Sequence, residues 1–115
     1  MKISMLMEIL EATLLTPDSD LECEVHDACG SDMMSDVLAY VKDQGVLLTG
    51  LNNPQVVRTA DMMDMVCIVF VRGKQPDQTI LDLANSRDIA VLSSNMTMFT
   101  ACGLLYKSGL RGGRL

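Results

Sequence analysis

Val66-Cys67-Ile68-Val69-Phe70-Val71, followed at once by Arg72-Gly73-Lys74-Gln75-Pro76, is the stretch that decides the fold. Six apolar residues without alternation predict a strand covered on both faces, as at the centre of a parallel sheet. Polar residues and a glycine then carry the chain to a proline suited to the first position of a helix. A buried strand that empties into a basic turn at a helix start is where α/β folds place ligands.

The same punctuation recurs on either side. Val46-Leu47-Leu48-Thr49 predicts a strand, and Gly50-Leu51-Asn52-Asn53-Pro54 a turn into a helix, with Asn53 as N-cap and Pro54 first inside. Val56, Val57, Ala60 and Met63 would face inward. Pro76 is expected to open a further helix with Ile80, Leu83 and Ala84 on its buried side. Ile89-Ala90-Val91-Leu92 predicts another strand, leaving through Ser93-Ser94-Asn95 into a last helix whose apolar positions are Phe99, Cys102, Leu105 and Tyr106. Gly109 before Leu110 has the pattern of a left-handed cap with its hydrophobic contact. Strand starts at 46, 66 and 89 are about twenty residues apart, the length of a right-handed βαβ crossover, so these three strands should be parallel.

The N-terminal third is less sharply patterned. Ser4 to Glu11 carries Leu6, Ile9 and Leu10 at helical spacing, with Ser4 as N-cap. Thr13-Leu14-Leu15-Thr16 is a short extended segment stopped by Pro17-Asp18-Ser19-Asp20. Leu21 to Asp27 alternates apolar and charged residues, the period of a half-exposed edge strand. Ser31 and Asp32 sit where an N-cap and a first-turn acid belong, ahead of a helix with Met34, Val37, Leu38 and Val41 on one stripe and Gly45 at its end. The expected class is α/β: a largely parallel central sheet with flanking helices and βαβ units from about residue 46 on. One domain over 1–110 with a frayed tail at 111–115 fits the length of 115 residues.

Composition narrows the function. Apolar residues make up 49% of the chain, with no Trp, two Phe, two Tyr and ten Met, so the core must be aliphatic and Met-filled. A net charge of −6 argues against a nucleic-acid partner. No apolar run reaches the roughly 18 residues of a membrane span, and Glu8 and Glu11 interrupt any signal-peptide core. A cytoplasmic protein is expected. Cys67 lies in an apolar strand and Cys102 on an apolar helix side, and Cys23 and Cys29 have no ligand spacing; reduced thiols are the plainer reading.

If the three strands are parallel, their C-terminal ends share one rim. It receives Thr49, Gly50, Asn52 and Asn53, then Arg72, Gly73 and Lys74, then Ser93, Ser94, Asn95 and Thr97. Helix N-termini and two cations make this an anion-friendly border in an acidic protein. For the Asn, Ser and Thr residues taken singly, capping and turn formation is the weightier reading. There is no G-x-x-x-x-G-K-[ST] phosphate loop and no nucleophile–base pair, and His26 beside Asp27 has the character of a solvated histidine. Asp32 and Asp36, at i and i+4, are the acidic pair worth testing for a metal, although a helix start alone explains one of them. No catalytic residue, cofactor or metal is expected.

Taken together, several stretches resemble a DRTGG domain. They are Ala28-Cys29-Gly30-Ser31-Asp32-Met33-Met34-Ser35-Asp36-Val37-Leu38, Leu48-Thr49-Gly50 with Asn52-Asn53-Pro54-Gln55-Val56, Ile68 to Asp77, and Val91-Leu92-Ser93-Ser94 leading to Thr97-Met98-Phe99. The resemblance spans roughly positions 3 to 110. It implies a fold similar to the N-terminal domain of the HPr kinase/phosphorylase, without that kinase's phosphate loop. Such domains occur alone, or joined to CBS pairs in certain family II pyrophosphatases, or to phosphotransacetylases. The implied role is regulatory or dimer-forming, with no catalytic residues to carry over. Standalone versions are considered accessory to iron–sulfur or hydrogenase systems, though the cysteine spacing here does not support cluster binding. The chain departs from the family pattern at Asn52 and Asn53, where many members have an acid and a base, and at Val71-Arg72-Gly73, where many have Thr-Gly-Gly.

Two functions follow as expectations. One is a non-catalytic regulatory or interaction module, a homodimer, with Met33, Met34, Met62, Met63 and Met65 supplying an apolar contact face. The other is small-anion or nucleotide sensing at the rim formed by Thr49, Asn52, Asn53, Arg72, Gly73, Lys74, Ser93, Ser94 and Thr97.

Overall fold

The computed structural model describes residues 1–39 and 44–112. In chain order the elements are α1 (Ile3–Leu10), β1 (Thr13–Leu14), β2 (Ala28–Gly30), α2 (Met34–Leu38), β3 (Val46–Thr49), α3 (Gln55–Met62), β4 (Cys67–Phe70), α4 (Gln78–Ser86), β5 (Ala90–Ser93) and α5 (Met98–Lys107). The sheet order is β1-β5-β4-β3-β2. β2 to β5 run parallel and β1 antiparallel to β5. The sheet is thus mixed and mostly parallel, and the crossovers expected from residue 46 onward are present.

The apolar runs of β3, β4 and β5 are explained by the layers on each side. Val46, Leu48, Cys67, Val69, Val71, Ala90 and Leu92 face a core closed by Ile3, Leu6 and Leu10 of α1 and Ala101 and Leu105 of α5. Leu47, Ile68, Phe70 and Val91 face the other core, closed by Val37, Val56, Val57, Ala60, Ile80 and Ala84 from α2, α3 and α4. All four residues of β4 are fully buried, as a central strand with helices on both faces requires.

Helix ends are set by local chemistry. Asn53 Oδ1 accepts from Gln55 N at 2.8 Å, and Pro54 already has helical φ and ψ, so the expected start of α3 is realised in substance. Asp77 and Thr97 cap α4 and α5 by accepting from Ile80 N and Thr100 N. At the other end of α5, Leu110 N donates to Leu105 O and Gly109 N to Tyr106 O, with Gly109 at φ +110. That is the expected glycine closure. α3 and α4 close the same way with Asp64 and Asp88 at φ +55 and +57 in the glycine position.

Several expectations need correction. α1 begins at Ile3 with Lys2 as N-cap, so Ser4 is inside the helix. Pro76 is buried ahead of α4, which starts two residues later behind Asp77. Leu38 is exposed, so the inward stripe of α2 is Met34 and Val37; Val41 lies outside the described residues. Leu21 to Asp27 makes no strand. Its alternation arises because the segment lies along the start of α1, where Cys23 O and Leu21 O accept from Ile3 N and Ser4 N. The edge strand is Ala28–Gly30 instead, and its small residues suit a tight spot: a Cβ on Gly30 would lie 2.7 Å from Cys102 Sγ. Arg111 is tied in as well, its carbonyl accepting from Ala28 N at 2.8 Å; residues 113–115 lie outside the described part.

Candidate functional site

Parallel pairing delivers the ends of β3, β4 and β5 to one border, and backbone bonds join the loops that leave them. Val71 N donates to Thr49 O, Ser94 N to Phe70 O, Gly73 N to Ser94 O and Arg72 N to Met96 O, at 2.8 to 3.0 Å. Arg72 and Ser94 therefore occupy adjoining loops. The turn after β4 is made by two successive left-handed residues, Arg72 at φ +58 and Gly73 at φ +68. For an arginine this backbone is strained, and its side chain is the one that crosses the rim.

Where that side chain goes is decided by Gly50. A Cβ at Gly50 would lie 2.0 Å from an Arg72 terminal nitrogen, so the guanidinium rests against a bare Cα. Its Nη2 is 3.5 Å from Asp32 Oδ2. The other oxygen of Asp32 accepts from Gly50 N at 2.6 Å and from Thr49 Oγ1 at 3.2 Å. The Gly50 amide first, then the Thr49 hydroxyl and the Arg72 charge, hold the Asp32 carboxyl below the usual carboxylate range against partial burial. Asp32 is thus not a first-turn acid: it lies ahead of α2, which begins at Met34, and reaches to the end of β3.

The rest of the rim is largely self-satisfied. Ser94 Oγ donates to Leu10 O at 2.8 Å and Ser93 Oγ to Lys74 O at 2.9 Å. Asn52 Nδ2 donates to Gln75 O at 3.1 Å, and Gln75 Nε2 to Ser93 Oγ at 3.2 Å. Asn53 and Thr97 are helix caps. Gly73 leaves room for Asn95, whose Oδ1 would lie 2.9 Å from an added Cβ. Arg72 and Lys74 are exposed. The structure brings all nine expected residues to one end of the sheet, but spends most of their polar side chains on holding loops. Sequence reasoning took Asp32 for a helix-start acid or a metal candidate rather than a rim residue, and left out Gln75. The usable signal for Asp32 was its place two residues beyond a strand that pairs with β3, which needed the pairing first.

Among the described residues, cavities lie elsewhere. One of about 330 Å³, lined by Asp18, Asp20, Cys23 and Asp88, opens at the opposite end of the strands beside Val66 and Ala90. One of about 150 Å³ runs between β2 and α5, with Gly30, Cys102, Tyr106 and Arg111 on its walls. One of about 410 Å³ lies between Met1, Met5 and His26 and the residues after α5. Among the described residues no group of three or more His, Cys, Asp or Glu is placed to hold a metal ion. The cysteines are thiols, and burial pushes that of Cys67 far up. No described helix is long and apolar enough to cross a membrane.

The chain is a mostly parallel α/β/α sandwich whose strand-end loops are bonded to one another. Residues 5–108 match the DRTGG domain family, and the chain belongs to it. A solved structure with the same fold is that of the CBS and DRTGG domains of the regulatory region of Clostridium perfringens pyrophosphatase, complexed with its activator diadenosine tetraphosphate. The two share 16% identity at a TM-score of 0.76 over 93% of this chain. This chain spans 46% of that one, about half its length. No curated protein matches the sequence.

Proposed function

We propose that this DRTGG domain regulates by docking, as a homodimer formed through the outer face of α5. The observation that carries it is Phe99, 88% exposed in a chain that has only two Phe. Tyr106, seven residues on and 61% exposed, lies on the same face. Burying a side chain of this kind against a partner is worth about 1.5–3 kcal/mol, a gain the isolated chain leaves unused. Of the four apolar positions expected on the last helix, Leu105 is buried beside Ala101 and Cys102 packs against that core, whereas Phe99 and Tyr106 face outward. The Met-rich face fares differently: Met65 is buried, Met34 and Met63 pack against the core, and Met33 and Met62 are exposed. Sedimentation at micromolar concentration should give a dimer that Phe99→Asp dissociates. A monomer throughout for the unaltered chain would remove this proposal. Four thiols suit a reducing compartment, and we place the domain in the cytoplasm.

A second function, sensing of a small anion or nucleotide at the rim, is favoured by the strained Arg72 backbone that aims a guanidinium across Gly50. The activator-bound relative supports a nucleotide-like ligand, although that ligand is a property of a two-domain region. Arg72 and Lys74 would supply charge and Asn52 a polar edge. Phosphate or nucleotides should raise the melting temperature, and Arg72→Ala should abolish the rise. A panel of such anions without effect would rule this second function out.

A further inference from the structure

We infer that Asp32 is a built-in competitor for the rim, an intramolecular carboxylate that a phosphate-type anion must displace. The inference rests on the anion-sensing function just proposed and adds its regulation. Three donors of different kinds converge on this one carboxylate: the Gly50 amide at 2.6 Å, the Thr49 hydroxyl at 3.2 Å and the Arg72 guanidinium at 3.5 Å. An amide, a hydroxyl and a guanidinium on one oxyanion form an anion-recognition set.

The receiving side is fixed. Thr49 and Gly50 are buried, Thr49 within the sheet by pairing with Phe70. The Arg72 backbone is clamped by its own amide on Met96 O and by Gly73 N on Ser94 O. The occupant is held less firmly. The Asp32 side chain is 46% exposed and comes from the connection between β2 and α2, and Met33 beside it is 61% exposed. Its neighbours Ser31 and Met33 bond each other, Met33 N donating to Ser31 Oγ at 3.0 Å. A dianionic phosphate offers more oxygens and more charge to the same three donors than one carboxylate does. Ser31 stays tied to β3 by its amide on Leu48 O, so entry would turn Asp32 outward and carry Met33 with it, and occupancy at the strand ends would be reported on the exposed surface ahead of α2.

The test titrates inorganic phosphate and pyrophosphate into the unaltered chain and into Asp32→Ala, Asp32→Asn and Asp32→Ala/Arg72→Ala. Binding is read from the Gly50, Ser31 and Met33 amide resonances. Removing the competing carboxylate should tighten pyrophosphate binding about tenfold in Asp32→Ala, and the double variant should lose it. If Asp32→Ala fails to fold, Asp32→Asn decides: it keeps the acceptor for Gly50 N, removes only the charge, and should still bind more tightly than the unaltered chain. Equal affinity in the unaltered chain and the Asp32 variants would overturn the competitor role and leave anion sensing standing. No binding in any of them would overturn both.

Discussion

Arg72 holds a left-handed backbone at φ +58, and replacing it separates backbone strain from side-chain contact. For a residue with a Cβ, the left-handed region costs roughly 1–2 kcal/mol. Glycine escapes that but gives up about 0.5–1 kcal/mol through greater freedom in the unfolded chain. Arg72→Gly therefore gains about 0.5–1 kcal/mol from the backbone. Either substitution loses the ion pair with Asp32, which is worth about 0.2–1 kcal/mol because both side chains are more than 40% exposed. Arg72→Gly should thus leave stability close to that of the unaltered chain, and Arg72→Ala should lower it by about 0.2–1 kcal/mol. The gap between the two variants, about 0.5–1 kcal/mol, corresponds to roughly 2–4 °C in Tm for a chain of this length. Calorimetry on all three proteins measures it. Arg72→Ala as stable as Arg72→Gly would show that the turn is unstrained, and the argument that Arg72 is kept for its side chain would fall.

Thr59 is buried on α3, and its hydroxyl has no hydrogen-bond partner among the described residues; Thr59→Val should raise stability by about 1 kcal/mol, seen as a higher urea midpoint at an unchanged slope. Folding lowers the Asp32 pKa, so its contribution is complete above the unfolded value of about 3.9 and fades as pH falls through the lower native value. The stability gap between the unaltered chain and Asp32→Asn should close on acidification below about pH 4, and a gap that widens there would refute the assignment. Cys67, fully buried and with its thiol pushed up by desolvation, should resist alkylation until the protein unfolds, as peptide mass spectrometry would show.

The strands were legible where burial is two-sided. An unbroken apolar run such as 66–71 has few alternatives once a glycine and a proline bound it, and β3, β4 and β5 begin within a residue of their expected starts. The edges were not. Ala28-Cys29-Gly30 has no β-branched residue, and it pairs because β3 offers an open ladder and α5 leaves room for little else. The alternation at 21–27 follows from contact with α1, a long-range relation that local periodicity cannot separate from strand pleat. The rim was legible as a place, since parallel topology fixes which residues arrive there. Its wiring was hidden, because Asp32 reaches Gly50 across eighteen residues of chain and Ser94 reaches Leu10 across eighty-four.

That wiring bears on the kind of function the rim can have. Catalytic sites hold donors ready for charge that develops only in the transition state, so those donors stand open and preorganised in the resting protein. Here the Gly50 amide, the Thr49 hydroxyl and the Arg72 guanidinium already serve Asp32, and Ser93, Ser94 and Asn52 already serve main-chain carbonyls. A ligand can enter only by exchanging one set of bonds for another, so its net affinity is a difference between two occupied states. An exchange of that kind yields modest affinity and a displaced segment, which suits a sensor. The segment it would displace ends at Met33, one of the few large apolar side chains the fold leaves exposed.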